Sequence, residues 1–261
     1  MTPPVFIRSP DRTGERRLNR PQAAAETIKD WILARGLAPG DRLPQEAQLI
    51  AELGVSKGTV REALKVLETQ GLIRMRTGPG GGAFITEVGD NLASALLANR
   101  FFFEDISIDD IYQLRIALEP LLVRELAEHI APAQIDALKS LMHPYADPPA
   151  SIEEEREQRV AELGFHEALA GFSRNALLGF TCAFLVRMLM NLAVCRRIYE
   201  HPNPELRERG VSYQEQLITA LVARDGDEAH AIMQAHMRTA ERLMLAQEAH
   251  ISRGFFPAVG G

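Results

Sequence analysis

The chain has 261 residues, of which 46% are hydrophobic and 25% charged, and its formal net charge is −6. This composition is typical of a soluble globular protein that buries real cores, as one large domain or two of ordinary size. Cys182 and Cys195 are the only cysteines, so a disulfide scaffold is excluded and a reducing cytoplasm is indicated. The sequence also predicts neither a signal peptide nor a membrane span.

The charge is unevenly distributed along the chain. Residues 1–88 hold 13 Lys and Arg against 10 Asp and Glu, whereas residues 89–261 hold 16 against 25. A basic N-terminal part on an acidic body is typical of a regulator with a separate DNA-binding domain. The positive excess is small, which indicates that tight binding needs two such domains rather than one.

The first elements are a tail and two helices. Residues 1–20 are rich in Pro and Arg and predict a disordered basic tail, with a phosphate-contacting arm as the alternative. Gln22–Arg35 predicts a helix, and residues 36–41 a turn. A second, short helix is predicted over Gln45–Leu53, because its apolar residues recur at helical spacing before Gly54.

A third helix follows, and its apolar stripe leaves a polar N-terminal face. Ser56 is placed to cap the helix, and Gly71 ends it. A helix that offers donors and cations from its first turns is typical of a helix-turn-helix protein that reads base edges and phosphates. The residues outside the stripe are Ser56, Lys57, Thr59, Arg61 and Lys65.

Two short strands then predict a wing. Leu72–Arg76 and Ala83–Thr86 can pair across the sequence TGPGGG, whose glycines permit a tight turn and a close approach of backbone to phosphate. Residues 21–88 therefore predict a winged helix-turn-helix domain, in which the loop around Gly80 lies beside DNA.

Residues 89–249 predict an all-α bundle of about six to seven helices, and residues 250–261 a C-terminal tail. The fold class is therefore mainly α, with a winged helix-turn-helix domain before the bundle. Proline, aspartate and glycine positions divide the bundle into helices over residues 92–102, 107–130, 132–145, 151–172, 174–200, 204–224 and 226–249.

Four of these helices direct polar residues toward their apolar faces. Arg115 falls in the row Ile111, Leu114, Arg115, Leu118, and Glu162 and His166 share a row with Phe165 and Leu169. Gln214 lies beside Leu217, Ile218 and Leu221, and His236 lies in the row Ile232, His236, Ala240, Leu243. Because buried polar groups are costly unless they are paired or bound, the set indicates either satisfied core residues or an internal polar cavity with a ligand. Glu162 and His166, one turn apart, could chelate an ion together with His236.

The N-terminal motifs resemble a known family. LPQE (43–46), GVSKGTVREALKVLETQGLI (54–73) and the glycine-rich wing are similar to the DNA-binding domain of the GntR family of bacterial transcription regulators. The resemblance implies that Lys57, Thr59 and Arg61 contact DNA and that the wing around Gly80 touches phosphate or the minor groove. The family usually has Arg where Ala47 stands, and Arg is commoner than Lys at residue 57, so the operator preference is expected to differ.

The helical part resembles the FCD effector domain of the FadR-type branch of that family. The motifs are YQLRIALEP (112–120), FHEALAGFSRNALL (165–178) and ITALVARDGDEAHAIMQAHM (218–237). Such domains commonly hold a divalent metal through an Asp and three His, next to a small carboxylate. The resemblance implies one ion (Zn, Mn or Ni), or a metal-free pocket because an amide replaces one imidazole, and Arg115 would bind the effector carboxylate. The implied metal positions are Glu162, His166, Gln214 and His236, and the implied effector positions are Arg115 and Asn175.

These features predict a cytoplasmic, homodimeric transcription regulator. It would bind a palindromic operator in double-stranded DNA and would respond to a small organic acid. The alternative is a DNA-binding protein whose helical domain only dimerises. A metallohydrolase, suggested by His166–Glu167, is disfavoured because Ala170 stands where the zincin motif requires a second His, and no enzyme is predicted.

Overall fold

The structure of the chain is a computed structural model, and contacts divide it into two compact units, Met1–Leu96 and Leu97–Gly261. The sequence-based boundary was placed at residue 88. Of the tail predicted at residues 1–20, residues 1–18 lie outside the part of the chain that the structure describes. The described residues are 19–101, 103–191, 195, 198, 201 and 203–254, with side chains up to residue 249.

The N-terminal unit has the predicted winged helix-turn-helix fold. Gly54, at φ 64°, ends the second helix in the left-handed conformation that favours glycine, and the Ser56 side chain caps the third by accepting from Thr59 N. The elements are α1 (Arg20–Ala34), α2 (Glu46–Leu53), α3 (Lys57–Thr69), β1 (Ile73–Arg76) and β2 (Gly82–Ile85).

The two strands form an antiparallel hairpin, the predicted wing. Ile73 pairs with Ile85 and Arg76 pairs with Gly82, so the strand bounds differ from the predicted ones by one residue. Arg42 adds an isolated bridge to Phe84, which ties the segment before α2 to the wing. A separate core, built around Ile28, Leu49, Val60, Leu67 and Ile73, holds the helices against the hairpin.

The remaining elements are helical, and the predicted mainly α fold class is confirmed. Helix α5 packs against α8 and α10, so it lies at the centre of the bundle. No helix within the described ranges is long and apolar enough to cross a membrane. These elements are α4 (Asp90–Arg100), α5 (Ile108–His129), α6 (Pro132–Met142), a 3-10 turn (His143–Tyr145), α7 (Ile152–Gly171), α8 (Ala176–Asn191), α9 (Pro204–Val222) and α10 (Gly226–Gly254).

Two of the predicted bounds in the bundle differ from the structure, and a third is only partly described. The helix predicted over residues 132–145 tightens into a 3-10 turn at His143, because Pro144 cannot donate to the α-helical ladder. Helix α10 continues to Gly254, so the predicted tail at 250–261 begins inside a helix, and residues 255–261 lie outside the described part. Several residues of the helix predicted over 174–200 also lie outside it, beyond Asn191.

The buried face of α5 is rotated about the helix axis relative to the face predicted from the sequence. Arg115 and Ile111 are buried as expected, but Leu114 is 50% exposed and Leu118 is only half-buried. The buried face runs instead through Tyr112, which allows a residue missed in the sequence, Glu119, to enter the core beside Arg115. The rows that were predicted on α7, α9 and α10 are buried throughout.

Candidate DNA-binding surface and buried polar group

Helix α3 exposes the cations that were predicted to contact DNA. Lys57, Arg61 and Lys65 are exposed, whereas Thr59 is half-buried. Ser56 acts first as the helix cap, since its Oγ accepts from Thr59 N at 3.2 Å and lies 2.9 Å from Thr59 Oγ1. The exposed N-terminal turns of α3 therefore carry both hydroxyl groups and positive charge, as a reading helix requires.

Two of these cations are paired with carboxylates of the same unit. Arg61 Nε lies 2.5 Å from Glu46 Oε1, and Arg61 Nη2 lies 3.2 Å from Glu46 Oε2. The hydrogen bond with Arg61 is the main reason why the pKa of Glu46 lies below its usual value, so Glu46 is ionised at neutral pH. Lys65 Nζ lies 3.0 Å from Glu62 Oε1. A groove of about 480 Å³ runs between this face of α3 and the wing.

The wing is held in place by arginines. The Arg42 guanidinium donates to the Gly81 carbonyl, and the Arg76 guanidinium lies 4.4 Å from the centre of the Phe84 ring. Gly80, at φ 77°, occupies the left-handed region at the exposed tip of the hairpin. A positive wing tip with exposed backbone can approach phosphates.

The helical unit contains a connected set of four buried side chains, called here the buried polar group: Arg115, Glu119, His166 and His236. Arg115 Nε donates to Glu119 Oε1, and His166 Nδ1 lies 2.7 Å from Glu119 Oε2. His236 Nε2 lies 3.2 Å from His166 Nε2. None of the four is more than 4% exposed, so each charge is shielded from water and depends on its partners.

The electrostatics of the buried polar group separate its members into charged and neutral. Burial opposes ionisation of Glu119, but Arg115 and His166 outweigh it and lower the pKa of Glu119 to about 2. Burial, followed by the charges of His166 and Arg115, holds the pKa of His236 well below its usual value. His236 is therefore neutral at physiological pH, while Glu119 is ionised.

Two further buried pairs lie on α7 and α9. Arg159 forms an ion pair with Glu162, whose carboxylate occupies the space beside Gly210 that a Cβ there would need. Tyr145 Oη donates to Gln214 Oε1 at 3.0 Å, and burial raises the pKa of Tyr145, so it keeps its proton. Gln214 Nε2 is buried and has no hydrogen-bond partner among the described residues.

The four residues implied to hold a metal have other partners in the structure or face only one another. His166 and His236 face each other through Nε2, and Glu119 orients His166 as a carboxylate orients a metal-binding imidazole. Glu162, however, pairs with Arg159, and the oxygen of Gln214 accepts from Tyr145. Within the described ranges, no group of three or more His, Cys, Asp or Glu is arranged to hold a metal ion. As they are arranged, the four side chains do not fit a metal.

The two residues implied to bind the effector differ in burial. Arg115 belongs to the buried polar group, whereas Asn175 is exposed at the start of α8, where its Oδ1 accepts from Leu178 N at 3.1 Å. The sequence-based reasoning missed Glu119, Arg159 and Tyr145. The first two carried a usable signal, because Glu119 follows Arg115 by four residues and Arg159 precedes Glu162 by three, and such spacings share a helix face.

The chain is similar to known transcription regulators over most of its length. Residues 21–85 match the family described as bacterial regulatory proteins, gntR family, and residues 110–239 match the FCD domain. An HTH-type transcriptional repressor NanR from Edwardsiella tarda (strain FL6-60) is 28% identical over 258 residues, which cover 90% of this chain and 92% of that protein. A second repressor NanR, from Citrobacter rodentium (strain ICC168), is 27% identical over 250 residues, which cover 88% of this chain and 90% of that protein.

A solved structure shows the same fold. Streptococcus agalactiae GntR aligns with a TM-score of 0.60 at 23% identity, over 85% of this chain and 99% of that chain. The two domain matches, together with the relatives, bear out both resemblances seen in the motifs. The chain therefore belongs to the GntR family of bacterial transcription regulators, in its FadR-type branch, and is a DNA-binding regulator with an FCD domain rather than an enzyme.

Proposed function

We propose that this regulator binds a palindromic operator as a homodimer and that a small organic acid, bound in the helical unit, controls its operator affinity. The observation that carries the effector part is Gln214, whose amide nitrogen is buried without a hydrogen-bond partner among the described residues. A buried donor without a partner is costly, so a ligand that accepts from it is stabilised there.

The chemistry around Gln214 favours an acid over a cation. Tyr145 donates to the amide oxygen, so the amide presents its donor side to a ligand. The same unit buries two arginines, Arg115 and Arg159, each in an ion pair with a carboxylate. A carboxylate can accept hydrogen bonds from guanidinium and amide N–H groups together, whereas the guanidinium charge repels a metal ion. The proposed effector therefore binds directly, without a metal.

For the DNA contacts, we propose Ser56, Lys57, Thr59, Arg61 and Lys65 on α3 and the backbone around Gly80 in the wing. The support for this proposal is their position at the N-terminal part of α3, where all but the half-buried Thr59 are exposed, or at the exposed hairpin tip. Truncation of one residue that reads a base edge, Arg61→Ala, is expected to weaken operator binding by about 1–3 kcal/mol without unfolding the protein. Unchanged operator affinity in the folded variant would remove Arg61 from the contacts.

The homodimer is proposed because a palindromic operator presents the same half-site twice, so two copies related by a twofold axis can bind it. Helix α5 carries a row of leucines that could contact a second copy of the chain. Leu114 and Leu121 are about half exposed, and Leu118 lies half-buried between them. Exposed leucines one turn apart on a central helix form an apolar strip that a second copy can cover. Sedimentation of the full chain measures the subunit number, and a monomer at operator-binding concentrations would overturn this part.

The test of the effector is an operator-binding titration. The operator is first selected from randomised duplex DNA with the full chain, and its affinity is then measured by anisotropy against a panel of small mono- and dicarboxylic acids. We expect at least one acid to change the affinity in the wild type and to raise the melting temperature. The variant Gln214→Leu should keep operator binding and lose that response, whereas Gln216→Leu, at an exposed position of the same helix, should keep both.

A second function is favoured by one observation. Arg115, Glu119, His166 and His236 pair with one another in the core, as satisfied structural residues do. The helical unit would then only dimerise. In that case no acid in the panel would change the operator affinity or raise the melting temperature of either the wild type or Gln214→Leu.

A further inference from the structure

We propose that Glu46 is a positioning residue that holds Arg61 so that Arg61 reads one guanine in each operator half-site. The inference rests on the proposed function, in which α3 enters the major groove. It adds the base that is read and a residue on α2 that controls the reading.

The first step is the geometry of the ion pair. Glu46 binds Arg61 through both carboxylate oxygens, at 2.5 Å to Nε and 3.2 Å to Nη2. A guanidinium has five N–H groups, and this fork occupies the edge formed by Nε and Nη2. The outer edge, formed by Nη1 and the second hydrogen of Nη2, stays available, and the Arg61 side chain is 58% exposed.

The second step is the match between that outer edge and a base. Two parallel N–H groups at the end of an arginine are complementary to O6 and N7 of guanine, which are both acceptors in the major groove. The same edge cannot pair in this way with adenine, because adenine presents a donor beside N7. Held by Glu46, Arg61 therefore discriminates guanine from adenine by geometry.

The pairing with Glu46 favours a base over a phosphate as the partner of Arg61. The carboxylate of Glu46 neutralises the charge of Arg61 and would itself repel a phosphate nearby. A neutralised arginine contributes little to counterion release, which dominates phosphate binding. Its hydrogen bonds keep their direction, so a base edge is the better partner. Glu46 also limits the conformations of an exposed, flexible side chain, which lowers the entropy lost on binding.

A matched control lies on the same helix. Glu52 on α2 is as exposed as Glu46, with side chains 30% and 31% exposed, and it pairs with Arg35 of α1 at 3.2 Å. Substitution of either glutamate by glutamine removes one negative charge from α2 and conserves the size of the side chain. Only Glu46→Gln weakens the hold on Arg61.

The experiment uses the full chain and an operator selected from randomised duplex DNA. Each guanine of the half-site is replaced in turn by 7-deazaguanine, which lacks the N7 acceptor and still pairs with cytosine. We expect one position at which this replacement weakens wild-type binding roughly ten- to hundred-fold. The same replacement should leave Arg61→Ala unaffected and should have a several-fold smaller effect on Glu46→Gln. Glu52→Gln should behave as the wild type does.

Salt dependence supplies an independent readout. Because the Glu46–Arg61 pair is neutral overall, removing both charges in the double variant Glu46→Gln, Arg61→Ala should leave the slope of log affinity against log salt concentration unchanged, whereas loss of a phosphate contact lowers it by about one. Retention of full guanine discrimination in Glu46→Gln, with its loss in Arg61→Ala, would overturn the positioning role alone. Unchanged base preferences in Arg61→Ala would overturn the base contact and also the proposed placement of Arg61 on the DNA. A lowered slope would overturn the base contact alone.

Discussion

Nε2 of His236 lies 3.2 Å from Nε2 of His166, and the two imidazole rings are stacked at an angle of 19°. Because the Glu119 carboxylate can only accept, Nδ1 of His166 donates to it, and one hydrogen lies between the two Nε2 atoms. The ion pair at Arg115 is thus continued as a chain of hydrogen bonds across three helices of the bundle.

This chain predicts that acid destabilises the helical unit through His236. Its folded pKa lies below the ordinary value of 6.5, so below pH 6.5 the unfolded state binds a proton that the folded state does not. Stability is therefore complete above pH 6.5 and falls with decreasing pH, by at most about 1.4 kcal/mol per pH unit for this group. Urea unfolding between pH 7.5 and 5 measures the slope. His236→Gln should flatten it, and His143→Gln, at an exposed histidine, should not.

The buried ion pair predicts a large loss of stability when one partner is neutralised. Glu119→Gln leaves the Arg115 charge in the core without its carboxylate, at an expected cost of about 3–5 kcal/mol in the free energy of unfolding. Glu104→Gln is the control, because Arg100 and Glu104 have the same i,i+4 spacing but are more than half exposed. Its effect should be too small to measure. Chemical unfolding measures the stability of both variants. Equal losses in the free energy of unfolding would contradict the pairing described for the buried polar group.

The positions of the residues implied to hold a metal predict that a single substitution improves zinc binding. Gln214→His replaces an amide that accepts from Tyr145 with an imidazole, one turn from Gly210, which lies against Glu162 of the helix that carries His166. Imidazole binds zinc far better than an amide does, so calorimetry should show an affinity higher than that of the wild type, by roughly ten-fold or more if a third ligand is added. Gln216→His, on the exposed face of α9, should bind no better than the wild type. Tight stoichiometric zinc in the wild type would contradict the direct, metal-free binding proposed here.

The geometry of the wing predicts that a substitution in its turn weakens DNA binding without preventing folding. A Cβ at Gly81 would lie 2.8 Å from the Gly78 carbonyl oxygen and would also collide with the Arg76 carbonyl, so Gly81→Ala must change the turn. We expect operator affinity to fall by about 1 kcal/mol or more, by analogy with other backbone clashes in tight turns. Gly89→Ala meets open space at a permitted backbone angle and is the control. Similar melting temperatures together with an affinity lost only in Gly81→Ala would support the role of the wing.

The sequence by itself determined the order of elements and the fold class, because each element is encoded by local signals. Gly54 and Ser56 mark the turn of the reading helix pair, and the glycines between the strands mark the hairpin. Helical periodicity also identified the inward rows on α7, α9 and α10. The motifs on these elements were specific enough to indicate the family.

Only the tertiary structure decided what the polar residues do, because pairing depends on atoms that are distant in the chain. Periodicity placed Glu162, His166 and His236 inside, but it could not show that Arg159 holds Glu162 or that Tyr145 holds Gln214. Likewise, the sequence placed Arg61 on the reading face, whereas its fork with Glu46, on another helix, follows from the way α2 packs on α3. Local patterns specify helices and faces, and the partner of each buried or exposed charge is specified by packing between elements.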